Sequence, residues 1–192
     1  YIYLGDTMKK LVVIITILIL FIPKVNASTS SASSYILMDS TTGRVLMSKD
    51  MHTKRLIASI TKIMTATLAI ESGKLNDVVE VSPIIKEAYG SGIYIEVGEE
   101  ITLKDLVYGL MLRSGNDAAM MISEYIGGTT EEFVNMMNKK AKELGMKETT
   151  FYNPSGLPTP SGNYSSAYDM ALLTKYAMNS PIYQEIVKTK TY

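Results

Sequence analysis

The sequence predicts an α/β (α+β) fold in which a β-hairpin leads into a mainly helical block. Two short apolar runs, Tyr35–Asp39 and Val45–Lys49, flank the turn-forming stretch Ser40-Thr41-Thr42-Gly43-Arg44. From Ile60 to Ser72, Ile60, Ile63, Met64, Thr67 and Leu68 recur at helical spacing, and Ala66, Ala69 and Ile70 cover most of the remaining circumference. A helix apolar nearly all round is a buried one. A third apolar stripe, Leu103, Leu106, Val107, Leu110 and Met111, begins after Thr102.

Taken in order, the chain opens with the marks of an export signal. Lys9 and Lys10 follow Met8, an apolar run spans Leu11 to Ile22, and Val25-Asn26-Ala27 supplies small residues before an expected cleavage point. Residues 1–27 are therefore read as upstream residues plus signal peptide, with an exported, extracytoplasmic product. The Ser-rich stretch 28–34 is a tether, and residues 35–192 form the domain. The buried helix after Ser59 stops at Gly73, a helix-ending residue. Val78–Ser82 and Ile93–Val97 read as short extended pieces. Thr102 with Asp105 marks a helix start, and Arg113-Ser114-Gly115-Asn116-Asp117 interrupts the helix before Ala118–Ile126 resumes it. Thr130 is expected to cap an amphipathic helix ending near Gly145. Phe151–Asn163, rich in Pro, Gly, Ser and Asn, is a long structured loop, and helices are expected after Ser166 and from Pro181. No strand that could extend the hairpin is recognisable after it.

Composition narrows the chemistry. The chain has no Cys and one His, His52, so cysteine nucleophiles, disulfides and His- or Cys-rich metal sites are excluded. No metal and no cofactor is expected. Residues 1–27 contain Lys9, Lys10, Lys24 and Asp6. Of 19 basic and 19 acidic residues, 16 and 18 therefore lie after Ala27, a balance that gives no reason to expect a nucleic-acid partner. With His52 in a polar stretch, lysine is the best base on offer.

Ser59-Ile60-Thr61-Lys62 supplies one. The spacing puts a hydroxyl and an amine on neighbouring positions of one helical turn. Burial and the helix N-terminus both push a lysine towards its neutral form, which is what a general base requires. Ser114-Gly115-Asn116 is the second candidate. A glycine between two short polar residues turns the backbone sharply and presents both side chains to one space, although a plain helix break capped by Ser114 or Asn116 has the same pattern.

Together the two motifs, S-x-x-K and S-x-N, resemble those of the penicillin-recognising serine enzymes. The surrounding runs Tyr35–Leu46, Ala58–Ala66, Leu110–Ala119 and Thr150–Leu157 narrow the likeness. They are similar to the serine-type D-Ala-D-Ala carboxypeptidases, the low-molecular-mass penicillin-binding proteins of peptidase family S11. The resemblance implies a β-lactamase/transpeptidase-like fold, an antiparallel sheet flanked by helices with a helical subdomain carrying Ser114. It implies that Ser59 attacks the bond between the terminal D-alanines of a peptidoglycan stem peptide and forms an acyl-enzyme. Lys62 takes the Ser59 proton, Ser114 relays a proton to the leaving amine, Asn116 binds the substrate backbone, and the Ser59 amide provides half of an oxyanion hole. It also implies β-lactam antibiotics as inhibitors that acylate Ser59, and membrane association through a C-terminal anchor.

Three departures from the family pattern stand out. Ile57 replaces a usual proline, Ser155 replaces a frequent histidine, and the K-T-G strand is absent, since Lys188-Thr189-Lys190 lacks the glycine and follows Ser114 too soon. The chain is therefore expected to be the N-terminal part of such an enzyme, with an incomplete sheet and little activity alone. Two alternatives remain at this stage. One is a non-catalytic exported peptidoglycan-binding protein. The other is a class A-like β-lactamase, which would need an E-x-x-L-N element that the sequence after Ser114 lacks.

Overall fold

The structure, a computed structural model, describes residues 5–20, 30–158 and 161–192. The chain divides into two compact units, Tyr1–Ala32 and Ser33–Tyr192. In the first, helix α1 (Asp6–Leu20) carries much of the apolar run of the expected signal. Among the described residues no helix is long and apolar enough to cross a membrane. The expected cleavage point at Ala27 lies outside the described residues.

The second unit begins with the predicted hairpin. Strands β1 (Tyr35–Met38) and β2 (Val45–Lys49) pair antiparallel, Tyr35 opposite Lys49 and Leu37 opposite Met47, with an irregularity between Leu37 and Met38. The turn forms because Asp39 Oδ1 accepts the amides of Thr41 (3.1 Å) and Thr42 (2.6 Å) and Gly43 adopts φ +76°. The bonds from Thr42 also hold the Asp39 carboxyl below its usual pKa.

Strand β3 (Arg55–Leu56) leads into a 3-10 turn, Ala58–Thr61, and helix α2 (Lys62–Glu71). The nucleophile candidate Ser59 thus sits in the tight turn, and the α-helix proper begins at Lys62. Helix α2 is buried all round, as its sequence predicts, because five helices pack on it. They are α3 (Leu103–Leu112), α4 (Asn116–Gly127), α5 (Thr130–Glu143), α6 (Ala167–Ala177) and α7 (Pro181–Lys188). Met64, Ala66 and Ala69 of α2 meet a core built from Leu106 and Leu110, Ala119 and Ile122, Phe133 and Met137, Leu173 and Ile186.

Helix starts follow their capping residues. Thr102 Oγ1 accepts the Asp105 amide at 3.1 Å and Ser166 Oγ accepts the Asp169 amide at 3.1 Å, both as expected. For α5 the cap is Thr129, not Thr130. Thr129 is extended (φ −141°, ψ 157°), as a capping residue must be, and Thr130 is already helical.

One further expectation needs correction. The strand partner of β4 (Val78–Glu80) is β5 (Glu100–Thr102), and Ile93–Val97 is not a strand. The Asp117 carboxylate accepts the amides of Ile93 and Tyr94, and Tyr94 adopts φ +61°, so this backbone is committed to a side chain rather than to a ladder. A pairing the sequence does not announce joins β3 to β6 (Tyr164–Ser165), two residues on each side.

Leu106 is fully buried between α2 and its neighbours. Leu106→Ala is expected to destabilise the domain by roughly 2–5 kcal/mol, read as a lower urea midpoint at unchanged slope.

Candidate active site

Three separate parts of the chain converge on the amine of Lys62. Its Nζ lies 3.3 Å from Ser59 Oγ, 2.8 Å from Asn116 Oδ1 at the start of α4, and 2.7 Å from the carbonyl oxygen of Ser155 in the 151–163 loop. Lys62 is 3% exposed, Asn116 4% and Ser155 4%, whereas Ser59 faces solvent. The amine is therefore buried directly behind an accessible hydroxyl.

Every oxygen around the amine is neutral. Asp117, which follows Asn116 in the chain, turns its carboxylate to the amides of Ile93, Tyr94 and Ala118. Burial without a counter-charge disfavours the ammonium form, and the Lys62 pKa falls from 10.5 to about 8.

The partners also fix how a neutral amine is oriented. Asn116 Nδ2 donates to the Tyr89 carbonyl at 2.6 Å, which fixes the amide orientation and leaves Oδ1 towards Lys62. That oxygen and the Ser155 carbonyl can only accept. A neutral Lys62 has two N–H bonds and one lone pair, so both hydrogens go to these oxygens and the lone pair faces Ser59 Oγ.

Of the four residues expected from sequence, Ser59, Lys62 and Asn116 form this cluster. Ser114 does not join it by hydrogen bonding. It occupies the bend between α3 and α4 in a left-handed conformation (φ +55°), and its hydroxyl bonds to no described residue. The plain capping explanation also fails, because α4 is capped at Gly115 without a side-chain bond and the Asn116 amide is engaged with Lys62 and Tyr89. His52 lies apart, on an exposed loop against Tyr168, 3.9 Å from Glu148.

Most of the residues missed from sequence act through their backbones. Besides the Ser155 carbonyl, Pro154 O accepts Thr65 Oγ1 at 2.7 Å. Gly156 (φ +87°) lies so close to the turn before α2 that a Cβ there would sit 1.9 Å from Ala58 O. Asn163 ties the loop down, its Oδ1 accepting the Tyr152 amide (2.7 Å) and its Nδ2 reaching Thr61 Oγ1 (2.9 Å). Ser91 O accepts the Asn116 amide at 2.8 Å. The only sequence signals for these contacts are the glycines of Gly90-Ser91-Gly92 and Asn153-Pro154-Ser155-Gly156.

A family model for D-alanyl-D-alanine carboxypeptidases (peptidase S11) matches residues 23–192. The chain belongs to this family. Among its curated relatives, D-alanyl-D-alanine carboxypeptidase DacF of Bacillus subtilis (strain 168) is 46% identical over 167 residues, 84% of this chain and 42% of the relative. The carboxypeptidase DacC of Escherichia coli (strain K12) is 37% identical over 165 residues, 79% of this chain and 40% of the relative. The crystal structure of the carboxypeptidase DacD from Francisella tularensis superposes with TM-score 0.79 at 38% identity, over 84% of this chain and 40% of that one. Penicillin binding protein 6B from Escherichia coli gives 0.80 at 34%, over 90% and 57%. The chain thus spans about 40% of the length of the curated relatives it matches. Membership also shows the fold to be of the penicillin-binding-protein, transpeptidase-like type, with short antiparallel sheets beside helices.

Gly156→Ala would bear both left-handed strain and the clash with Ala58, whereas Gly145→Ala (φ +74°, with nothing within 4 Å of its Cβ) would bear strain alone. A left-handed alanine costs about 1–2 kcal/mol. Gly156→Ala is therefore expected to lower Tm by more than roughly 4 °C, and by more than Gly145→Ala, in parallel thermal scans.

Proposed function

We propose that this chain carries the nucleophile and base of a serine D-Ala-D-Ala carboxypeptidase that trims peptidoglycan stem peptides. The observation that carries the reading is the exposed Ser59 hydroxyl, 3.3 Å from a buried lysine whose lone pair has nowhere else to point. Family membership supports the substrate class.

In this reading Ser59 Oγ attacks the carbonyl carbon between the two terminal D-alanines, and its proton passes to Lys62 Nζ. The C–N bond then breaks, and the departing D-alanine takes a proton from Lys62 through the Ser114 hydroxyl. A water attacks the resulting ester, frees the peptide shortened by one residue and returns the proton to Ser59. Asn116, with one amide hydrogen left after its bond to Tyr89, aligns the substrate backbone. β-Lactams would acylate Ser59 by the same route. The reading includes export by residues 8–27 ahead of a catalytic domain from residue 35, a place in the cell envelope, and a membrane anchor outside this chain.

Fluorescent penicillin, offered to residues 28–192 and to a chain extended to the stop codon of its gene, tests this. The extended chain is expected to label. Ser59→Ala should abolish labelling, and Lys62→Ala should slow it by roughly 10²–10⁴. Slow loss of label marks a carboxypeptidase, and rapid loss a β-lactamase. A folded extended chain that never labels would sink the catalytic reading in favour of a peptidoglycan-binding protein.

The pH profile follows from Lys62. Only its neutral form accepts the Ser59 proton, so the acylation rate is expected to rise with pH and level off above a midpoint near 8. A flat profile between pH 6 and 10 would contradict lysine as the base.

A further inference from the structure

We propose that Asn153 is a positioning residue that aims the Lys62 amine at Ser59 by holding the carbonyl of Ser155 against it. This inference rests on the reading of Ser59 and Lys62 as nucleophile and base.

Asn153 reaches neither group itself. Its Oδ1 accepts the amides of Gly156 (2.7 Å) and Ser155 (3.2 Å) and lies 3.3 Å from Ser155 Oγ, while its Nδ2 donates to Leu157 O at 2.7 Å. One side chain therefore shapes the backbone from 155 to 157, using the local turn-forming chemistry of asparagine. Two results of that shape touch the site. Ser155 O is delivered to Lys62 Nζ at 2.7 Å, and Gly156 is pressed onto the Ala58 carbonyl, immediately before Ser59. Ala58 is itself left-handed (φ +43°), a conformation an alanine keeps only when its surroundings enforce it.

The rest of the loop has its own anchors, and one of them, Asn163, also bonds Asn153, accepting its amide (3.1 Å) and donating to its carbonyl oxygen (2.8 Å) and, at 3.5 Å, to its Oδ1. Asn138 exchanges bonds with Phe151 N (2.9 Å) and O (2.8 Å), and Asn163 holds the Tyr152 amide and Thr61. Asn153 is thus placed to adjust the tip of the loop without being needed to close it.

The consequence is specific to the base. With Ser155 O in place, the second N–H of neutral Lys62 is occupied and the lone pair is directed at Ser59. Without it, the amine rotates freely and water replaces the carbonyl. The groups facing Lys62 are the Ser59 hydroxyl, the Asn116 amide and the Ser155 carbonyl, all uncharged, so rehydration is the dominant change and moves its titration towards the ordinary lysine range.

The test compares Asn153→Ala and Asn153→Ser in the chain extended to its gene's stop codon. Penicillin acylation is measured from pH 6 to 10, beside an NMR titration of Lys62 in lysine-labelled protein. Asn153→Ala is expected to slow plateau acylation by roughly 10²-fold, the cost of a small misplacement of a reacting group. Its Lys62 midpoint should move up from about 8. Asn153→Ser keeps an acceptor for the Gly156 amide and should recover part of both effects. An unmoved Lys62 midpoint in folded Asn153→Ala overturns the proposal, whether or not acylation slows. So does unchanged acylation. If Asn153→Ala fails to fold, Asn153→Ser decides by the same two readings. A wild-type protein that does not label, but whose Lys62 midpoint still responds to Asn153, would remove the catalytic reading and leave the positioning role standing.

Discussion

The organisation of this domain turns on one cation buried without an anion. Lys62 is 3% exposed and meets three neutral oxygens and no carboxylate. Such a site is costly for the charged form and acceptable for the neutral one, so the fold stores in it a preference for an unprotonated amine. In stability terms the sign is fixed. Below pH 8 the folded protein must carry the buried ammonium, and the unfolded chain carries it solvated. As pH rises from about 8 towards 10.5 the folded state sheds the proton first, and this handicap disappears.

Holding that arrangement needs rigid surroundings, and the packing of α2 provides them. Helices α3 to α7 close on α2 from several directions, so its first turn cannot shift without disturbing the Leu106, Ile122 and Phe133 core. The acceptors come from elsewhere: Asn116 from the first turn of α4, Ser155 from a loop tied to α5 through Asn138 and to the 3-10 turn through Asn163. A helical scaffold fixes the Lys62 amine, and the Asn116 side chain and the Ser155 carbonyl complete its surroundings.

Much of this was legible in residue order. The hairpin, the all-round burial of α2, the caps at Thr102 and Ser166 and the helix from Pro181 follow from patterns that span a few neighbouring residues. Ser59 and Lys62 were legible for the same reason, being one turn apart. Asn116 needed a resemblance as well as a pattern, since its tripeptide suits a simple helix break. The misreading of Ile93–Val97 shows the limit. Its apolar residues are real, but Asp117, more than twenty positions away, claims the amides of Ile93 and Tyr94.

Local order, then, settled the elements and the pairing of the Ser59 hydroxyl with the Lys62 amine, because helical periodicity, capping and an i, i+3 spacing are short-range facts. Tertiary structure alone decided which oxygens surround Lys62, how far its pKa falls, and that Ser114 stands without a hydrogen bond to Ser59 or Lys62. Those outcomes depend on backbone carbonyls at Tyr89 and Ser155. Every residue has such a carbonyl, so its identity carries no mark in the sequence, and only the path of the chain brings it to the site.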